Sequence, residues 1–172
     1  MPYPPFIKTR TMLNVTKISV RFALTLFLIF TVASCATTRK ALDFDTALNL
    51  TVSASKDVNP TSSGHPAPIV LEVIKLRDDR QFKNEDFINL FEDPKGRLGN
   101  DLIEITKLKE LAPGERRKEK ITLTPEVKYV GILAEFIQYD QAKAKLVIPI
   151  EAYSTNSADV RVERLNIRLA DG

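Results

Sequence analysis

The sequence predicts an all-β fold, a two-sheet β-sandwich of about seven to eight strands with one short excursion helix. Three observations predict it. Short segments alternate apolar and polar residues, as strands with one buried face do. Proline, glycine and asparagine turn signals separate them. One segment, residues 84–91, instead spaces its apolar residues as a helix does. A length of 172 residues suits one domain.

The first strand begins at Leu48, where Leu48, Leu50, Val52 and Ala54 alternate with Asn49, Thr51 and Ser53. Residues 57–68 then hold three prolines, Gly64 and an Asn-Pro step, the composition of a turn-rich loop. A hairpin needs only about two to five residues, so the extra length asks for a reason. Strand two covers residues 69–76. Ile69, Leu71 and Val73 share one phase while Ile74 and Leu76 take the other, which means a bulge or burial on both faces. Residues 84–91 read as the helix, with Asn84 as N-cap and Glu85 and Asp86 at the positive dipole end. Phe87 and Phe91 lie one turn apart, and Pro94 and Gly96 stop the helix. So short a helix needs tertiary support, so its aromatic stripe is expected to dock on the sheet as core.

Strands resume at residues 102–106. Leu111-Ala112-Pro113-Gly114-Glu115 is a turn of the type II kind, and residues 118–123 alternate through Ile121 and Leu123. The charges of Arg116-Arg117-Lys118 fit protection of a sheet edge, an anionic membrane surface or acidic partner being the alternative. Residues 129–136 are nearly all apolar, as in a central strand covered on both sides. Tyr139-Asp140-Gln141 turns the chain into a strand at 146–150. Val160 and Val162 alternate, then Leu165, Ile167 and Leu169 alternate in the opposite phase, which places a bulge near Glu163-Arg164.

The N-terminal part carries a different signal. An apolar run, residues 22–32, follows Lys17 and Arg21 and ends at Val32-Ala33-Ser34-Cys35. A basic region, a short apolar region and small residues before a break are the marks of a secretory signal peptide. The run is about 11 residues, whereas a spanning helix needs about 20. The small-residue site ends at the only cysteine, which resembles a bacterial lipobox and implies a lipidated Cys35 as mature N-terminus. The alternatives are an ordinary signal peptide with an incidental cysteine, or a buried cysteine of the domain. The expected organisation is a lipoprotein signal peptide over residues 1–34, with Met12 as an alternative start. A lipidated N-terminus and tether follow over 35–45, and the sandwich over 46–172. Roughly ten extended residues of tether reach on the order of 30 Å.

The formal charge of +3 is misleading. Residues 1–34 hold Lys8, Arg10, Lys17 and Arg21 and no acid. Without them, 21 basic side chains face 22 acidic ones, a net of −1, and no nucleic-acid footprint remains. With one cysteine, no internal disulfide is expected.

Catalytic chemistry is hard to build from these residues. His65 is the only histidine, so imidazole metal clusters are excluded. Cys35 is committed to the anchor. No Gly-x-Ser-x-Gly, phosphate-cradling loop or dinucleotide fingerprint is present. The acid pairs Asp78-Asp79, Glu85-Asp86 and Glu92-Asp93 are each adjacent in sequence and are expected on a solvated surface. Paired glycosidase acids come instead from separate elements facing one cleft. The span 93–101 lacks the alternating acids of a calcium loop. Neither enzyme, cofactor nor metal site is expected. A tethered binding module is the better class. Its rival is a periplasmic or surface-exposed lipoprotein that binds a glycan or acts as an adhesin. That rival calls for an aromatic platform, but Trp is absent and no Tyr cluster is visible.

Several stretches together carry a resemblance. They are Val58-Asn59-Pro60 through Gly64 to Pro68, and Phe82 through Asp86-Phe87 to Leu90-Phe91. Leu98-Gly99-Asn100-Asp101-Leu102 and the Leu111 to Glu115 turn follow. Leu123-Thr124-Pro125 then leads into Tyr129-Val130-Gly131-Ile132-Leu133-Ala134. In order and spacing, over residues 46–150, the chain resembles the outer-membrane lipoprotein of the bacterial type VI secretion system, the TssJ (SciN/VasD-like) family. It departs at Ile74, where a tyrosine is frequent, and at Ala144, near where a tryptophan often precedes Val147-Ile148-Pro149.

The resemblance implies a transthyretin-like sandwich, lipid-anchored on the periplasmic face of the outer membrane. It implies binding to the periplasmic C-terminal region of the large inner-membrane component TssM (IcmF-like), and through it to TssL. Ala36 after the cysteine is similar to outer-membrane sorting in enteric bacteria. The loop between strands one and two contributes to the partner contact in that family. Here it matches Asn59, Pro60, Thr61, Ser62, Ser63, Gly64, His65 and Pro66.

Overall fold

The computed structural model describes residues 45–170. The signal peptide, Cys35 and all but the last residue of the expected tether lie outside these residues. The first sheet is built from β1 (Thr46–Ala54), β4 (Arg116–Leu123), β7 (Thr155–Glu163) and β8 (Asn166–Leu169), in the order β4-β1-β7-β8. The second holds β2 (Leu71–Leu76), β3 (Leu102–Lys107), β5 (Tyr129–Ala134) and β6 (Lys145–Pro149), in the order β3-β2-β5-β6. All neighbours are antiparallel except β1 and β7, which run parallel with Leu50 opposite Ala158.

The main core lies between the sheets. Leu48, Leu50 and Val52 of β1 and Val160 and Val162 of β7 are buried, together with Leu71 and Val73 of β2 and Val130 and Ile132 of β5. Each such side chain contributes roughly 1.5–3 kcal/mol of burial. The central reading of β5 holds, since all of its residues but Tyr129 are buried. The phase change in β2 has both expected causes. Ile74 and Leu76 are buried on the opposite face, and the register against β3 shifts between Lys75 and Leu76. Ile74 thus sits in a second cluster, and Ala144 in the main one.

That second cluster is closed by helices, and here the expectation of one helix is corrected. Three short helices follow β2: α1 (Arg80–Asn84), α2 (Phe87–Glu92) and α3 (Pro94–Leu98). Asn84 ends α1 rather than capping a helix. The extended backbone of Asp86 (ψ 155°) restarts the chain as α2. Pro94 opens α3, in the first turn, where its missing N–H leaves no bond unmade, and the Asp93 carboxylate accepts from the Gly96 N–H at 3.0 Å. Each helix buries one side chain on the sheet, namely Phe82, Leu90 and Leu98. The fully buried side chain of α2 is Leu90; of the expected core stripe, Phe87 is half-buried and packs against both core clusters, while Phe91 turns outward at 45% exposure.

Lys145 of β6 holds the end of α1. Its ammonium donates to the carbonyl oxygens of Phe82 (3.1 Å), Lys83 (3.0 Å) and Glu85, groups a helix end leaves unpaired. Burial pushes Lys145 below its usual range, and nearby Asp86 and Glu85 act in the opposite direction.

Gly131 of β5 lies under the Phe82 ring, and a Cβ there would come within 2.8 Å of it. Gly131→Ala is therefore expected to lower stability by about 1–3 kcal/mol through overpacking. Urea unfolding checks this; an unchanged midpoint would mean that α1 moves aside freely.

Two further expectations are corrected. The phase reversal after Val162 is a hairpin turn, not a bulge. Arg164 takes φ +22°, Glu163 faces Asn166, and Val162 faces Ile167. Cross-strand partners share a face, so reversing the chain reverses the phase. Asp79 is not solvated but 8% exposed; its charge is met by the Lys83 ammonium one helical turn on. Asp78 fits the surface reading, and its hydrogen bond from the Arg80 guanidinium holds its carboxyl below the usual range.

The edge reading of Arg116-Arg117-Lys118 agrees with the sheet order, because β4 is an edge strand. Arg116 pairs with Asp159 at 2.8 Å, and Arg117 with Glu119 at 3.1 Å. The type II turn is present as well. Gly114 takes φ +79°, and the Glu115 N–H donates to the Ala112 carbonyl at 3.0 Å.

Candidate functional site: the connection between the two sheets

Residues 55–70 link β1 in one sheet to β2 in the other. Part of the loop's length is therefore a crossing between layers. The rest forms a projecting, internally bonded tip.

Asn59 is the pin of this loop. It is 2% exposed and takes φ +49°, a left-handed geometry that asparagine tolerates better than most residues. Its backbone N–H donates to the Arg164 carbonyl at 2.8 Å, in the β7–β8 turn. Its side-chain amide donates to the Pro68 carbonyl at 2.7 Å, while Oδ1 accepts from the Ile137 N–H at 2.8 Å. One side chain thus ties both ends of the loop to the β5–β6 connection. Gln138 adds a second clamp, donating to the carbonyls of Pro60 (2.9 Å) and Thr61 (3.1 Å). The Ala67 N–H closes the neck on the Val58 carbonyl at 3.2 Å.

Beyond the neck, residues 61–65 form a ring. The Thr61 N–H donates to the His65 carbonyl at 2.8 Å, and the Gly64 N–H to the Thr61 carbonyl at 2.9 Å. The His65 N–H reaches Thr61 Oγ1 at 3.2 Å, and Ser63 Oγ bridges Thr61 Oγ1 (2.9 Å) and His65 Nδ1 (3.0 Å). Gly64 turns the tip at φ +83°. Of the eight residues picked out from the sequence, Ser62, Ser63, Gly64, His65 and Pro66 are exposed, and Thr61 is half-buried. Asn59 and Pro60 are buried and face the protein's own interior.

Beside the loop lies a group that sequence reading missed. Tyr139 stacks on Phe87 (centroids 5.1 Å apart, planes 21°), and Phe87 stacks on Phe91 (5.7 Å, 15°). Tyr139 is 44% exposed and Ile137 53%. The group is a stack of two phenylalanines and one tyrosine rather than a Tyr cluster. Only the fold brings Tyr139 to α2, and no local pattern marks it. Gln138 also carries no sequence signal. Asn59 did carry one, as an asparagine before proline in a turn-rich segment.

Chemically the arrangement presents groups suited to binding. Among the described residues no three His, Cys, Asp or Glu side chains converge as metal ligands. The tip offers hydroxyls, backbone groups and proline surface on a rigid mount.

Comparisons with known proteins agree with this architecture. The family described as type VI secretion lipoprotein (VasD, EvfM, TssJ) matches residues 46–165. Among solved structures, the T6SS lipoprotein TssJ1 from Pseudomonas aeruginosa is 26% identical with a TM-score of 0.68, covering 73% of this chain and 95% of that one. Lip of Serratia marcescens, a membrane-bound component of the type VI secretion system, is 25% identical with a TM-score of 0.68, covering 73% and 98%. A chain in the structure of the T6SS protein TssM C-terminal domain (869-1107) from EAEC shares the fold alone, at 22% identity, TM-score 0.61 and coverage of 74% and 99%. No curated protein matches the chain in sequence.

Proposed function

The chain belongs to the type VI secretion lipoprotein family, and from that premise we propose that it is the lipid-anchored tether of the secretion membrane complex. In this reading Cys35 carries the acyl chains at the periplasmic face of the outer membrane. The exposed loop tip, residues 62–66, docks on the periplasmic C-terminal region of TssM, and through TssM the chain is joined to TssL.

The observation that carries this reading is the rigid loop. A tip already closed by its own hydrogen bonds loses little conformational entropy on docking, which favours affinity. Asn59 and Gln138 act as positioning residues beneath it. Anchoring follows from acyl burial at about 0.8 kcal/mol per CH₂, with two or more chains needed for a stable hold. The protein's work is mechanical: it joins two envelope layers.

Cys35→Ser tests the anchor. The variant is expected to lose its acyl label, to leave the membrane pellet, and to assemble no working apparatus. A Cys35→Ser protein that is still acylated, or that still supports secretion, would refute the lipid tether.

A further inference from the structure

We infer that the partner-binding surface extends beyond the loop, over Ile137 and Tyr139 to the Phe87–Phe91 stack, and fits a protein surface that offers apolar anchors ringed by lysine or arginine. This rests on the reading of residues 62–66 as a partner contact. Four observations on different elements carry it.

The first is exposure. Ile137, Tyr139 and Phe91 keep 53, 44 and 45% of their surface in solvent, and contiguous apolar exposure of this kind marks interaction sites. The second is continuity. Ile137 is hydrogen-bonded to Asn59, Gln138 to Pro60 and Thr61, and Tyr139 follows directly in the chain. The loop and the stack therefore share one mount.

The third is rigidity. Phe87 stacks with both Phe91 and Tyr139 and packs against both core clusters, so the rings are ordered before any partner arrives. Aromatic anchors with few free torsions lose little entropy on binding. The fourth is charge. Each ring has an exposed acid beside it in sequence: Asp86 before Phe87, Glu92 after Phe91 and Asp140 after Tyr139. Among the described residues, no salt bridge within 4.0 Å includes these three, although Asp86 also faces the Lys145 ammonium. Lys143 is an exposed base in the same groove.

The geometry also separates this occupant from two others. A glycan platform calls for open ring faces, whereas the Phe87 ring stacks with two neighbours and packs against both core clusters. An anionic lipid surface would be repelled by the acids beside the rings.

The test uses the full-length protein in detergent, titrated with the periplasmic C-terminal region of TssM. A Phe91→Ser/Tyr139→Ser double variant is expected to bind at least ~10-fold more weakly with an unfolding midpoint only modestly lowered, since neither side chain belongs to the buried core and what is lost is their stacking on Phe87. An Asp86→Lys/Asp140→Lys variant, which leaves the rings in place, is expected to bind several-fold more weakly, with a larger loss at low salt. If both variants bind like the wild type while deletion of the loop tip abolishes binding, the extended surface is wrong and the loop reading stands. If loop deletion also has no effect, both readings fail. If the ring variant instead loses binding to phosphatidylglycerol-containing vesicles and keeps its affinity for TssM, the patch is a membrane contact and the inference is overturned.

Discussion

Replacing Asn59 with alanine is expected to destabilise the domain by about 2–4 kcal/mol and to weaken partner binding as well. The change removes two side-chain hydrogen bonds, to the Ile137 N–H and the Pro68 carbonyl, at about 0.5–1.5 kcal/mol net for each, since both partner residues are exposed. It also leaves a non-glycine residue without a local polar side chain in left-handed backbone geometry, a further ~1 kcal/mol. Against a typical small-domain stability of about 5–15 kcal/mol, that is a large share. Two companion variants separate the terms. Asn59→Gly relieves the backbone but still loses both bonds, so it should recover only the smaller part. Asn59→Asp keeps an acceptor for Ile137 but turns an oxygen toward the Pro68 carbonyl, so it should remain well below the wild type. Urea unfolding monitored by circular dichroism gives the ranking. A near-neutral Asn59→Ala would mean that Asn59 does not pin the loop.

Deleting Ser62, Ser63 and Gly64 should have the opposite profile. These residues are exposed, and the hydrogen bonds they lose belong to the tip itself rather than to the core. Stability is expected to change by no more than about 0.5 kcal/mol, as for ordinary surface changes. Affinity for the TssM C-terminal region is expected to fall by about 100-fold or more, because a central contact is removed rather than trimmed. The contrast is informative. Asn59→Ala acts on stability and binding together, whereas tip deletion acts on binding alone. Calorimetric titration beside thermal melts reads both quantities on the same samples, and undiminished affinity would contradict the loop assignment.

The sheets were legible because each strand carries its own periodic pattern. Leu48, Leu50 and Val52 announce an inward face without knowledge of any partner, and the apolar run of β5 announces cover on both sides. What stayed hidden depends on contacts between distant parts of the chain. The helical excursion looked like one helix because Phe87 and Phe91 have helical spacing. The break at Asp86 and the docking of Leu90 are decided by where the sheet presents its outer face. Opposite phases at Val162 and Ile167 fit either a bulge or a hairpin, and only the pairing of Glu163 with Asn166 distinguishes them. At the site, composition marked residues 59–66 as unusual but could not say which of them face outward. Asn59 and Pro60 turned inward, and the stack that adjoins them needed Tyr139 from a loop far along the chain.

The central claim is that the loop tip is the contact between this lipoprotein and TssM. A photo-crosslinking amino acid at Ser63, in cells with the complete apparatus, tests it most directly. Irradiation should join the protein to the periplasmic C-terminal region of TssM, and the adduct should be absent when the same residue is placed at Lys118 on the open face of the first sheet. Crosslinks from Lys118 but none from Ser63 would contradict the account.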